Sequence, residues 1–234
     1  MEDGKKYKGS YMESLNVLYE DNQIIVVEKP ANIPSQGDKT GDKDMLTIVK
    51  EYIKVKYNKP GNVYLGLVHR LDRPVGGIMV FARTSKSASR LSEEVRNKTF
   101  EKHYLAIVNG KMENPKGTLE DYLWKDEKNN TSYVVKETKK NAKKAALDYE
   151  VVSYNKEENL SLIKIDLHTG RHHQIRLQLS SRGHAIYGDA KYHGRGKGQG
   201  LCLYAYELGF VHPVSKEKMN FKLIPKWKLL KIFN

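Results

Sequence analysis

Apolar runs broken by turn-forming residues set the pattern over the first hundred positions. Leu15 to Lys29 (LNVLYEDNQIIVVEK) has one apolar stretch, an acidic turn at Asp21-Asn22 and a second apolar stretch, which predicts a hairpin that Pro30-Ala31-Asn32-Ile33-Pro34 ends. Val63 to Val68 (VYLGLV) predicts a buried strand, and Pro74-Val75-Gly76-Gly77 predicts a turn into another at Ile78 to Ala82. Met45 to Tyr57 carries Leu46, Val49 and Ile53 near helical spacing, and Ser85 to Asn97 repeats this with Leu91 and Val95; Thr84 or Ser85 would cap the second helix. Lys102 to Gly110, Ala145 to Tyr154 and Leu160 to Leu167 predict strands, the last with clear alternation. Ile175 to Leu179 (IRLQL) also alternates like a strand, with Ile175, Leu177 and Leu179 on one face and Arg176 and Gln178 on the other. Strands mixed with a few helices, without regular βαβ spacing, predict an α+β protein on a mostly antiparallel or mixed central sheet.

Two polar stretches stand apart and read as mobile. Trp124 to Lys144 is Lys-rich, with Asn129-Asn130 as a hairpin tip. His193 to Gly200 (HGRGKGQG) is glycine-rich and basic; it lacks the strand, spacing and Ser/Thr of a nucleotide-binding phosphate loop. It is either a loop that contacts RNA phosphates or a solvated connection. No internal repeat is visible.

The 234 residues, 39% of them hydrophobic, suffice for one large domain or two small ones. No apolar run reaches the roughly 20 residues of a membrane span, and MEDGKKYKGSYMES has no apolar core of a signal peptide, so a cytoplasmic protein is expected. The single cysteine, Cys202, has no partner for a disulfide and reads as an apolar filler between Leu201 and Leu203. A net charge of +13, from 41 Lys and Arg against 28 Asp and Glu, points to a polyanionic partner.

Two clusters carry candidate chemistry. His69-Arg70-Leu71-Asp72-Arg73 sets a carboxylate between two guanidinium groups at a strand end, where Asp72 is expected to be ionised at pH 7. Five residues alone fit a catalytic carboxylate and a structural pair pinning a turn equally well. His168-Thr169-Gly170-Arg171-His172-His173-Gln174-Ile175-Arg176 concentrates donors suited to phosphates and base edges. Zinc is a poor match for it: the Glu of HExxH is absent, Gly170 interrupts a helix, and no Cys or acidic ligand is near in sequence.

HRLD at 69 to 72, KHYLAIVNG at 102 to 110, HTGRHHQIRLQL at 168 to 179 and GHAIYGDAKY at 183 to 192 together resemble the ordered motifs of the RluA-type RNA pseudouridine synthases. The resemblance runs from about Leu15 to the terminal FKLIPKW. It implies a pseudouridine synthase fold around a basic cleft, with residues 1–14 as a tail and 15–234 as the catalytic domain. It further implies isomerisation of uridine in structured RNA, ribosomal or transfer, with no cofactor and no metal; a monomer is expected. Uracil would leave its ribose at N1, rotate and rejoin through C5. Asp72 matches the catalytic carboxylate, acting on ribose C1′ or by removing a ribose proton. Tyr104 matches the tyrosine that stacks on the target base, and Arg176 the cation that pairs with the catalytic Asp. Arg70 matches a position that enters the RNA stack when the base is extruded. Arg73, His69, Arg171, His172 and Gln174 are expected to shape loops or contact RNA. The chain departs from the commonest pattern at Arg73-Pro74-Val75-Gly76-Gly77 and at His172, changes that bear on which RNA loop is accepted. Only about fourteen residues precede the first strand, too few for an S4-type RNA-binding domain. The alternatives are a catalytically silent RNA-binding or ribosome-assembly factor and a metal-dependent hydrolase; Asp72, Tyr104 and Arg176 together argue against the first.

Overall fold

The structure, a computed structural model, describes residues 15–196 and 200–233. The expected tail, residues 1–14, lies outside the described residues, as do 197–199 of the glycine-rich stretch. The described chain divides into two compact units. The first holds the residues up to Phe100 together with Leu208–Leu223, and the second holds Glu101–Glu207 and the residues from Ile224 onward.

Along the chain the first unit contains β1 (Val17–Glu20), β2 (Ile24–Lys29), α1 (Met45–Lys56), β3 (Gly66–Leu67), β4 (Gly76–Ala82) and α2 (Ser85–Asn97). β1 and β2 form the predicted hairpin; Asp21 Oδ1 accepts the backbone N–H groups of Gln23 (2.7 Å) and Ile24 (2.8 Å) and so turns the chain. β2 lies between β1 and β4, antiparallel to both, so Ile24, Ile25, Val26 and Val27 are fully buried. A strand covered on both faces reads as a run rather than an alternation. Asp44 caps α1 by accepting the N–H of Thr47 (3.0 Å), and Thr84 caps α2 by accepting that of Ser87 (3.1 Å). Ile24, Val26, Ile78, Val80, Leu91, Phe100 and Phe210 form one core cluster, each large apolar side chain contributing ~1.5–3 kcal/mol of transfer free energy.

The strand expected over Val63 to Val68 is confined to the two residues of β3. Its ladder on β4 stops after Leu67↔Phe81, because the N–H of Val80 goes to His69 Nε2 (3.1 Å) instead of to a further carbonyl.

The second unit continues with β5 (Glu101–Asn109), β6 (Lys116–Asp126), β7 (Thr131–Val135), β8 (Lys143–Asn155), β9 (Leu160–Leu167), α3 (Gln174–Ser180) and the start of β10 (Leu203–Val211), which ends in the first unit. β11 (Lys218–Lys222), in the first unit, pairs with β10. The strands β5-β9-β8-β6-β7 lie side by side and antiparallel, with β7 at the edge. The α+β expectation, a mostly antiparallel sheet with flanking helices, is met.

One local expectation is met here and one fails. The Lys-rich stretch from Trp124 is an antiparallel hairpin of β6 and β7 whose tip is the predicted Asn129-Asn130 pair, with Asn130 at φ 47°. Ile175 to Leu179 is not a strand but the body of α3, and Ile175 through Leu179 are all buried. Alternation misled because Arg176 and Gln178 do not face water: they bond to buried polar groups, Gln178 Nε2 donating to Leu119 O (3.1 Å) and Asp121 Oδ2 (2.8 Å). Cys202 is fully buried, as expected, and burial pushes its thiol up to about 12, which leaves it inert.

Candidate active site

In the first unit, Asp72 lies on a turn closed by the Val75 N–H donating to its carbonyl (2.9 Å). The residues on either side are gripped through their backbones. Ser35 Oγ donates to Leu71 O (2.8 Å) and accepts from Leu71 N (3.1 Å), while Asn32 N (2.8 Å) and Lys29 Nζ (3.0 Å) both donate to Arg73 O. The Arg73 side chain turns to the 32–42 loop. Its guanidinium bonds to Asp42, to Thr40 Oγ1 (3.0 Å) and to Asn32 O (3.2 Å), with Asp38 at 3.7 Å, and so ties the 32–42 loop to this turn. Those bonds hold the Asp42 carboxyl below its ordinary range, the Arg73 contact being the largest cause. His69 is occupied by Val80 N and packs its ring 5.3 Å from that of Phe100, a loop-shaping role. Arg70 is exposed, the state a residue needs if it is to reach RNA.

In the second unit, Tyr104 is buried in β5 opposite Ile165 of β9. Arg176, on α3, makes a bidentate pair with Asp189, Nε to Oδ2 and Nη2 to Oδ1, both 2.7 Å. Both side chains are buried, and Asp189 Oδ1 also accepts from the backbone of Lys191 (3.1 Å) and Tyr192 (3.2 Å). The Arg176 guanidinium lies 5.1 Å from the centre of the Tyr192 ring, a cation–π contact. The sequence had pointed to the GDAKY motif without assigning Asp189 a role; an acidic residue following a glycine turn was the available signal.

Tyr192 extends this arrangement to the hairpin. Its hydroxyl accepts from Ser132 N (3.0 Å) and meets His173 Nδ1 (2.9 Å). Ser132 Oγ meets both Nδ1 (2.8 Å) and the carbonyl (2.9 Å) of His172, and the two imidazoles stack 3.7 Å apart. His173 sits at φ 53°, a left-handed conformation costing roughly 1 kcal/mol that its tertiary bonds hold in place. Gln174 Oε1 accepts from Thr169 Oγ1 (2.7 Å) and Arg171 N (3.0 Å), and its amide donates to Ala146 O (3.0 Å), which makes it a loop-shaping residue. Arg171 is exposed and donates from Nε to Lys144 O (2.9 Å), and His168 Nε2 meets Asp148 Oδ2 (2.9 Å) on the surface.

Burial, reinforced by Lys125 and Lys191, lowers His172 to about 4; burial, reinforced by Arg176, lowers His173 to about 2. Both are neutral at pH 7, so any contact of His172 with phosphate is an uncharged hydrogen bond. These bases add nothing to stability above the unfolded value near 6.5. Below it the unfolded chain binds protons that the folded chain refuses. Stability therefore falls with decreasing pH, by at most about 1.4 kcal/mol per pH unit for each imidazole, until the folded values are reached. Urea unfolding at pH 7, 5.5 and 4.5 checks this: a variant with His172→Asn and His173→Asn is expected to lose stability less steeply than the parent, and an unchanged slope would remove the pair as the cause.

The profile of a family described as RNA pseudouridylate synthase matches residues 23–181. An RNA pseudouridine synthase of Bacillus subtilis (strain 168), itself described as uncharacterized, is 32% identical over 205 residues, covering 87% of this chain and 66% of its own length. The ribosomal large subunit pseudouridine synthase D of Zymomonas mobilis is 30% identical over 222 residues, covering 88% of this chain and 68% of its own length. The chain thus spans about two thirds of the length of these curated relatives. Among solved structures, human RNA Pseudouridylate Synthase Domain Containing 4 superposes with a TM-score of 0.74 at 23% identity, covering 90% of this chain and 89% of that one, a likeness of fold. The matched stretch contains the HRLD turn, β5 and the whole of α3, and the chain belongs to the RNA pseudouridylate synthase family, of the RluA type that its motifs resemble.

Proposed function

We propose that this chain isomerises uridine to pseudouridine in structured RNA, with Asp72 as the catalytic carboxylate. The observation that carries the reading is that Asp72, Tyr104 and Arg176 all fall within the stretch matched by the family, the first on a turn held by backbone hydrogen bonds and the others on β5 and α3. The N1–C1′ bond breaks, uracil turns, a C5–C1′ bond forms, and the proton lost from C5 is balanced by one gained at N1. Asp72 either takes C1′ as a nucleophile or removes a ribose proton to give a glycal; each route needs its ionised form. Arg70, exposed beside it in sequence, supports a role in filling the space the extruded base leaves, an exchange that offsets unstacking of a few kcal/mol. The charge of +13 supplies the sequence-independent attraction to RNA.

A relative named for the large ribosomal subunit makes ribosomal RNA the first pool to assay. Unmodified ribosomal and transfer transcripts, incubated separately with the protein and digested to nucleosides, are expected to yield pseudouridine from one pool. Tight binding to both without product would favour the RNA-binding factor instead. Tyr104→Phe keeps the ring and removes the hydroxyl; if the hydroxyl assists proton loss at C5, turnover falls roughly 10-fold to 100-fold with RNA affinity unchanged. Unaltered turnover would reduce Tyr104 to a stacking surface.

A further inference from the structure

Strand alternation puts Tyr122 and Trp124 of β6 and Tyr133 and Val135 of β7 on one face of the hairpin, paired Tyr122↔Val135 and Trp124↔Tyr133. The other face carries Leu123, which clusters with Leu177 of α3, and the buried Ser132. The aromatic face is therefore directed away from α3. On it the Trp124 and Tyr133 rings are stacked, their centres 6.2 Å apart and their planes 30° from parallel, and Tyr133 is 45% exposed. Lys139 Nζ lies 4.9 Å from the centre of the Trp124 ring. A cross-strand aromatic pair strengthens a hairpin, but this one is anchored by other means. Ser132 bonds to His172 and to Tyr192, and Lys191 Nζ donates to Asn130 O (2.8 Å) at the tip. Residues 128–144 hold six lysines and one acidic residue, Glu137. Its carboxylate is taken by the Tyr122 hydroxyl (2.6 Å), and that of Asp126 by Lys128 N (2.9 Å) and the Asn129 amide (2.6 Å).

We propose that Trp124 and Tyr133 form a stacking surface for an unpaired base of RNA, with Lys139 placed to meet the neighbouring phosphate. The inference rests on the reading of the chain as acting on RNA. It adds a contact on the hairpin face opposite α3, away from the helix that carries Arg176. Stacked rings accept any base, because every base has a π-face, and lysines neutralise the backbone that joins the bases. Bases inside a duplex already stack on each other, so an exposed ring selects the unpaired ones. The lysine excess beside the rings complements a polyanion. A protein partner fits this face less well, since protein interfaces are depleted in lysine.

The test uses the full chain and a single-stranded oligoadenylate of about ten nucleotides, which has no uridine to enter the reaction. Trp124 and Trp227 are the two tryptophans of the chain, so Trp227→Phe leaves Trp124 as the fluorescent reporter. Its emission is expected to be quenched by oligoadenylate and unaffected by inorganic polyphosphate, which has the charge without the bases. Tyr133→Leu keeps an apolar residue on the strand and removes the ring. It is expected to weaken oligoadenylate binding, measured by filter retention, roughly 5-fold to 100-fold, with the urea midpoint close to that of the wild type. Lys139→Gln is expected to reduce the slope of log affinity against log salt by about 0.7. Wild-type affinity in Tyr133→Leu overturns the inference even if Trp227→Phe does not fold. Unquenched Trp124 at saturating oligoadenylate overturns it even if Tyr133→Leu does not fold. Equal quenching by polyphosphate, or no binding of oligoadenylate to the wild type, overturns it as well. Failure of the wild type to form pseudouridine in any RNA removes the proposed reaction instead, and the oligoadenylate result is read independently of it.

Discussion

Asp72→Asn is expected to abolish isomerisation, by on the order of 10³-fold or more, while leaving RNA affinity and unfolding free energy close to the parent values. The amide has nearly the shape of the carboxylate but neither its charge nor a basic lone pair, so both proposed routes stop at their first step. The turn is held by backbone bonds, Ser35 to Leu71, Asn32 and Lys29 to Arg73 O, and Val75 N to the Asp72 carbonyl, none of which uses the Asp72 side chain. Loss of activity together with collapse of the fold would instead assign Asp72 to structure. Single-turnover assays and urea unfolding on the same preparation separate the outcomes.

The largest loss of stability is expected from Asp189→Ala. It leaves the Arg176 guanidinium buried without its two 2.7 Å bonds, and deprives the N–H groups of Lys191 and Tyr192 of their acceptor. Removing one member of such a buried pair costs about 3–5 kcal/mol. For a chain of this size that corresponds to a fall in Tm of about 10 °C. Pairing Asp189→Leu with Arg176→Met is expected to recover much of the loss, because a buried ion pair exchanges for apolar groups of similar volume at little cost. Turnover is not expected to return with stability, since Arg176 is among the residues proposed for the reaction. Thermal and urea unfolding of Asp189→Leu, Arg176→Met and the double variant measure the coupling directly; a loss below about 1 kcal/mol in Asp189→Ala would mean the pair is not held as tightly as its geometry implies.

Much of this architecture was legible in the chain. The β1–β2 hairpin, both capped helices of the first unit and the alternating β9 follow from short-range rules that burial then satisfies. α3 was misread because period-two alternation and a fully buried short helix give the same string when the polar residues bond inward, and nothing local distinguishes IRLQL in the two cases. β3 was overextended because a side chain, His69, took the hydrogen bond that a longer ladder required. The motif residues proposed for the site stand out in the chain by their order and spacing. Their supports do not. Lys29 reads as an ordinary strand end, since only the tertiary fold brings the Arg73 carbonyl to its ammonium, and Ser132 and Tyr192, which steady the His172-His173 pair, lie 40 and 19 residues from their partners.

Release of tritium from RNA transcribed with 5-tritiated uridine tests the central claim most directly, because the C5 proton leaves only when a new bond forms at that carbon. Ribosomal and transfer pools are compared with the wild type and with Asp72→Asn. The account predicts release from one pool by the wild type and none by the variant. Equal release by both proteins would contradict the role of Asp72, and no release from either pool despite tight binding would contradict the isomerase itself.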